Sequence, residues 1–370
     1  MSVRARVEAR LLAEPPPALD LTTVRALVRA EDPLLADDAA AAVSAEVLAA
    51  VSGLGPLGAL LDDDAVTDVL VNGDGSVWVE RDGALSACAL ALAERDVVRL
   101  VERVVAPLGL RADRSSPIVD ARLPDGSRLS AVLRPLGVDG PCLAIRRFRS
   151  RPVPLDAFAP PDVVRLLRGA VASRATIVVS GGTGAGKTTL LGALAAFLGD
   201  DERVVTIEDA AELRLAKKHV VRLESRPANG EGAGLVSVRD LVRAALRLRP
   251  DRLIVGEVRG GEALDLLQAL NTGHEGSLTT CHANSAAGAL RRIETLALFA
   301  GAGVPLEAIR DQLAAAVDLV VHVARRSSGR SIEEVVEVAA DPAVAPRTRR
   351  LADASGVLAD PARPWPATAA

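Results

Sequence analysis

Aromatic residues are nearly missing from this 370-residue chain: four phenylalanines, two tryptophans and no tyrosine make up 2% of it. That leaves little material for base-stacking platforms, and the cores must be built from Val, Leu, Ile and Ala. Only three cysteines occur, Cys88, Cys142 and Cys281, far apart and without a C-x-x-C pair. Neither a disulfide framework nor a four-cysteine zinc site is available from them, and a reducing, cytosolic setting fits best. No run of about 18 apolar residues is present, and the segment from Met1 to Glu8 lacks the uninterrupted apolar stretch of a signal peptide. Any membrane association must therefore run through partners or a surface. A formal net charge of −4 argues against a chain that coats nucleic acid through bulk charge. Lysine is confined to positions 187, 217 and 218, so arginine type alone singles out no functional residue.

What is present is more specific. Ser180-Gly-Gly-Thr-Gly-Ala-Gly-Lys-Thr-Thr189 follows the apolar run Ala175 to Val179 and precedes a helical pattern, Leu190 to Phe197. Strand, glycine-rich turn and helix in that order make a phosphate cradle. Gly181, Gly182, Gly184 and Gly186 let backbone N–H groups approach a polyphosphate at the positive end of a helix dipole, with Thr183 and Ala185 between them. Lys187 then reaches the β- and γ-phosphates, the Thr188 hydroxyl ligates Mg²⁺, and Thr189 closes the motif. ATP with Mg²⁺ is the expected cofactor pair.

At this length the chain divides into more than one domain. Residues 1–55 read as a helical lead-in, with helical periodicity over Leu21–Val28 and Ala39–Val51. Residues 56–148 read as a small mixed α/β domain: strand-like runs at Val69–Asn72, Ser76–Glu80, Val119–Leu123, Arg128–Leu133 and Cys142–Phe148, and an amphipathic helix over Glu94–Leu108. A proline-bearing linker spans 149–160. An alternation of strands and helices over 161–340 predicts a parallel sheet of the RecA-like P-loop type, and the proline- and alanine-rich stretch 341–370 reads as a marginally ordered tail.

A cradle alone does not hydrolyse a nucleotide; a carboxylate near Mg²⁺ and a group that orients water are also needed. The strand Arg252–Val255 delivers Glu257 to the carboxyl end of such a sheet, where ligands bind, and makes it the leading catalytic acid over a plain helix-terminus charge. Glu208 and Asp209 end the strand Arg203–Ile207 in the same way, with Glu212 three residues on. Glu208 is read either as an active-site acid for Mg²⁺ or water, or as part of a capping box for a following helix. His274 and His282 flank Ser277–Thr280. Eight residues apart, they do not make the i, i+4 metal pair of a helix face, so the readings are γ-phosphate sensing, a link from nucleotide state to a neighbouring subunit, and ordinary polar packing.

Together these motifs resemble one family. The cradle, Thr206–Leu213, Arg249–Arg259 and Asn271–Asn284 are similar to the Walker A, Asp box, Walker B and His box of the type II/IV secretion ATPases. Within that family the resemblance points to the CpaF/TadA branch of Flp (tight-adherence) pilus assembly, and it extends upstream through Val66–Gly73, Val79–Gly83 and Asp120–Arg128. It implies a hexameric motor, cytoplasmic and peripheral at the inner face of the membrane, which works on an inner-membrane platform protein to assemble pilins or export protein. It further implies active-site roles for Glu208, Asp209, Glu212, Glu257, His274 and His282, with Thr188, Glu257 and Asp209 on Mg²⁺. Arg222, Arg226, Arg243 and Arg247 lie in the segment that carries trans-acting arginines in related motors, and Arg128, Arg134 and Arg146 lie in the N-terminal domain. The four-cysteine zinc module of larger members is missing, so no structural zinc is expected. Two other classes stand beside this reading: a nucleic-acid translocase of the RecA-like class, and a non-hydrolysing nucleotide-gated scaffold.

Overall fold

The computed structural model describes residues 2–13, 21–52, 54–81, 83–123, 126–147, 153–228, 232–326, 329–339, 347–362 and 365. They fall into two compact units, one made of the described residues up to 147 and the other of those from 153 on. The first part of the expected linker, 149–152, lies outside the described residues, as do the turn residues Asp82, Pro124 and Asp125.

In the first unit, α1 (Val3–Ala13), α2 (Leu21–Glu31) and α3 (Asp37–Ser52) bury Val7, Leu11, Val24, Val28, Ala40 and Val47 against one another. The helical lead-in is thus a small helix cluster with its own apolar centre. After α4 (Gly58–Leu61) come β1 (Val66–Val71), β2 (Ser76–Arg81), β3 (Ala84–Ala91), α5 (Glu94–Val105), β4 (Ile118–Arg122), β5 (Arg128–Val132) and β6 (Cys142–Arg146). The strands form one antiparallel sheet in the order β3-β2-β1-β6-β5-β4. Helix α5 covers it with Val97, Leu100, Val101 and Val105, residues spaced to share one helical face. Strand β3 is missed by sequence reading because Ala-Leu-Ser-Ala-Cys-Ala-Leu-Ala is made of helix formers; pairing with β2 overrides that propensity on a largely exposed edge.

The second unit holds α6 (Pro161–Ala172), β7 (Ile177–Gly181), α7 (Lys187–Ala195), β8 (Val204–Glu208), β9 (Val220–Glu224), α8 (Val238–Ala245), β10 (Arg252–Val258), α9 (Glu262–Leu270), β11 (Leu278–His282), α10 (Ala286–Leu298), α11 (Leu306–Ala316), β12 (Leu319–Arg326), β13 (Gly329–Ala339), β14 (Arg347–Asp353) and β15 (Gly356–Val357). The sheet order is β15-β14-β13-β12-β7-β11-β10-β8-β9, parallel from β12 to β9 and antiparallel from β12 to β15. Helices α6 and α7 pack on one face and α8 to α11 on the other. This explains why β7 and β8 are buried throughout and mostly apolar rather than alternating.

The reading of 341–370 as a marginally ordered tail is corrected over 347–357. Arg347–Asp353 pairs with β13, Leu351 and Ala352 are fully buried, and the Val357 N–H donates to Asp162 on α6 at 2.8 Å. Only two apolar side chains carry that strand's burial, too few to stand out among its arginines.

Candidate nucleotide site

Strand β7 runs buried to Gly181, and the chain then turns through Gly182, Thr183, Gly184 and Ala185 into Gly186, the N-cap of α7. Gly184 (φ 70°) and Gly186 (φ 97°) hold left-handed backbone, which side-chain-bearing residues disfavour and which turns successive N–H groups to one concave side. Lys187 opens the helix and donates from Nζ to the carbonyls of Gly181 (3.2 Å) and Gly182 (3.0 Å). Burial pulls its ammonium below the ordinary lysine value, while the charge of Glu257 opposes that shift. Thr188 and Thr189 sit half-buried in the first turn. All of the predicted cradle residues, 181–189, therefore belong to one continuous turn and helix start.

The acids separate by environment. Glu257 is the last residue but one of β10, about a quarter exposed, and accepts from Arg259 Nη2 at 2.8 Å; Arg259 Nη1 donates to Asp209 at 3.1 Å. The same guanidinium thus joins the two carboxylates delivered by β8 and β10. Glu208 differs: it is buried, and its Oε1 accepts the N–H groups of Glu212 (3.1 Å) and Leu213 (3.0 Å). Desolvation pushes its carboxyl up to about 7 although those two bonds favour the charged form. No helix follows it, since 211–217 is irregular, so the capping-box reading fails in its literal form: Glu208 ties down a loop instead. Gly256 makes room for it, because a Cβ there would stand 2.8 Å from Glu208 Cγ.

The histidines part company. His282 ends β11 in register with Gly181, beside the cradle. His274 precedes β11 and bonds through Nδ1 to the Ala269 carbonyl at 3.1 Å, at the amino edge of the sheet. The five-residue strand between them spans roughly 13 Å or more, so within one chain only His282 stands beside the cradle, and His274 lies at the opposite edge of the sheet. Three of the four candidate arginines are held within the chain. Arg222 donates to Ala211 O (2.7 Å), Arg226 to Gly234 O (2.7 Å) and Arg243 to Asp265 (2.7 Å), while Arg247 is exposed just beyond α8.

Leu319–Val323 and Ile332–Ala339 read as strands from the sequence and fall within β12 and β13; what sequence reasoning missed is their pairing as a hairpin and the side chains Arg259 and His322. His322 accepts or donates to Ser180 Oγ at 2.9 Å, next to the cradle's first glycine, and burial lowers its pKa against the pull of Glu334 and Glu333. Nothing in the local pattern around His322 marks it; parallel pairing of β12 with β7 does.

The chain matches the family described as type II/IV secretion system protein over residues 50–356. It belongs to that family. A protein of Mycobacterium tuberculosis (strain H37Rv) provisionally named for conjugal transfer is 45% identical over 292 residues, covering 76% of this chain and 82% of that one. The conjugal transfer protein TrbB of Rhizobium radiobacter is 40% identical, covering 75% and 85%. Among solved structures, the pilus retraction motor PilT with bound ADP aligns with a TM-score of 0.58 at 22% identity over 75% of this chain and 81% of its own, a likeness of fold. The antiparallel sheet of the first unit and the mostly parallel sheet of the second give the chain the mixed α/β fold of that likeness.

Magnesium fits these residues on the chemistry of the donors. Thr188, Glu257 and Asp209 offer hard oxygens, and Arg259 already marks the point where positive charge is wanted between the two carboxylates. Among the described residues no group of three or more His, Cys, Asp or Glu side chains converges as a self-sufficient metal site.

Proposed function

We propose that this chain is the ATP-hydrolysing motor of a type II/IV secretion or Flp-type pilus assembly system. The observation that carries the reading is the meeting, at the carboxyl edge of one sheet, of a glycine cradle with Lys187 at its helix start and two carboxylates, Glu257 and Asp209. The cradle N–H groups and Lys187 bind and orient the polyphosphate. Thr188, Glu257 and Asp209 would hold Mg²⁺, which supplies charge neutralisation across the phosphates when bound. Glu257, no longer shared with Arg259, orients the attacking water, and His282 stands where it can respond to the γ-phosphate. Glu208 acts as a positioning residue that holds the 209–213 loop. The output is motion between the two domains of a homo-hexamer, passed to an inner-membrane platform protein from the cytoplasmic face. No helix among the described residues is long and apolar enough to cross a membrane, which is compatible with attachment through that partner.

The competing reading is a nucleic-acid translocase, favoured by the conjugal-transfer names of two relatives. The 2% aromatic content and the net charge of −4 weigh against it. Mg²⁺-dependent ATPase activity of the purified oligomer, measured with and without DNA, separates the readings. Turnover that Lys187→Ala removes and DNA leaves unchanged supports the secretion motor. Absence of turnover would sink it, and strong stimulation by DNA would move the chain to the translocase class.

A further inference from the structure

The hairpin β12–β13 touches the cradle at both of its ends. A Cβ on Gly181 would lie 2.4 Å from the Val323 carbonyl oxygen, and a Cβ on Gly186 would lie 2.6 Å from Arg330 Cδ and 2.9 Å from its Nε. Gly182 and Gly184, between them, face open space. Backbone thus walls the entry of the cradle, and an arginine stem lies over its last residue.

That arginine is unlike its neighbours. Arg326 is paired with Glu333 and Arg350 with Glu334, each within 3.1 Å. Arg330 is exposed and faces Arg325 across the hairpin, and among the described residues no carboxylate pairs with it. An uncompensated guanidinium held against the residue that opens a phosphate-binding helix is one half of an ion pair whose other half is the ligand. Its place along the cradle fixes which half. Lys187 serves the β- and γ-phosphates, whereas the loop amides that end at Gly186 cradle the α- and β-phosphates.

Resting on the ATP-binding reading above, we propose that Arg330 is a nucleotide-contacting residue supplied in cis, its planar fork hydrogen-bonding the α- and β-phosphate oxygens of ATP and ADP alike. Arginine suits the task because its fixed donor geometry matches two phosphate oxygens at once and its charge does not titrate.

The test is titration of Mg-ATP and Mg-ADP onto the full-length oligomer for wild type, Arg330→Gln, Arg330→Lys and Lys187→Ala. The Gln variant keeps the length of the stem near Gly186 but removes the charge, and the Lys variant restores charge without the fork. Because Arg330 is exposed, Arg330→Gln and Arg330→Lys should unfold at the same temperature as wild type. The expected result is weakening of both nucleotides by about tenfold (~1.4 kcal/mol) in Arg330→Gln, a smaller loss in Arg330→Lys, and a difference that shrinks as salt rises. If Arg330→Gln and Arg330→Lys bind both nucleotides like wild type while Lys187→Ala has lost them, Arg330 is only packing and the proposal is overturned with the motor reading intact. If wild type itself binds neither nucleotide, or Lys187→Ala binds as wild type does, both readings fall.

Discussion

The two edges of the second unit's parallel sheet use polar side chains in opposite ways. At the amino edge, Arg252 is buried and donates to Glu202 (2.7 Å), Gly276 O (2.8 Å) and Val171 O (3.1 Å), while Arg174 donates to the same Glu202 (2.8 Å) and to Asp251 O (2.7 Å). Gly276 (φ 74°) is required there, since a Cβ would meet Arg252 Nη1 at 1.9 Å. At the carboxyl edge, cradle amides, Lys187, Glu257 and Asp209 stay partly exposed, and their internal bonds are ones a ligand can replace. A closed ion network fixes the frame, and an open one is left for chemistry. Burial decides which is which: a charge sealed from water must be fully paired, and a charge at a rim need not be.

The sharpest way to break this contrast is to cut one member from each edge. Arg252→Met removes the buried partner of Glu202, which is left mostly covered with Arg174 alone, and should cost about 3 kcal/mol of folding free energy by urea unfolding; a cost under about 1 kcal/mol would mean the amino edge locks nothing. Glu257→Gln keeps shape and removes charge, so it should retain Mg-ATP in equilibrium titration while turnover falls about a hundredfold or more, ~2.7 kcal/mol of barrier. Turnover within about threefold of wild type would remove Glu257 from the mechanism. A subtler pair lies within the cradle. Gly181→Ala forces a methyl into the Val323 carbonyl and should cost about 1–3 kcal/mol of stability, whereas Gly182→Ala meets open space and should cost less than about 0.5 kcal/mol. Equal costs would show that the hairpin does not wall the cradle.

The carboxyl edge was far more legible in the sequence than the amino edge. Its parts are contiguous or strand-terminal: glycines 181–186 with Lys187, Glu257 after an apolar run, Glu208–Asp209 after another. Periodicity alone places these at the ends of buried parallel strands. What stayed hidden depends on register between distant strands. Arg252, Glu202 and Arg174 are brought together by three separate segments, and none carries a local signal beyond being charged. Strands β13 and β14 put Arg330, Glu334 and Arg350 beside the site through antiparallel pairing that no motif announces. His274 is grouped with His282 along the chain, while an extended strand separates the two in space. Sequence adjacency is a good guide across a turn and a poor one across a strand.

The histidines therefore test the edges at lower amplitude. His282→Ala should slow turnover by about tenfold, ~1.4 kcal/mol, and His274→Ala should leave Mg-ATP affinity within about threefold. Loss of nucleotide binding on removing His274 would place it at a cradle after all.

The smallest expected effect concerns how deep the open edge is open. Cys281 lies one residue before His282, in register with Ser180, yet its thiol is fully buried and desolvation pushes its pKa up to about 12. Thiolate, not thiol, reacts with alkylating agents, so a thiol with this pKa and no solvent access should be inert at pH 8. Cys142 is exposed on the first unit's sheet. Iodoacetamide on the native protein at pH 8, followed by peptide mass spectrometry, should modify Cys142 and leave Cys281 untouched until denaturant is added. Native modification of Cys281 would mean that water reaches past the strand ends into β11, and the difference between a sealed sheet interior and an open rim would have to be redrawn one residue deeper.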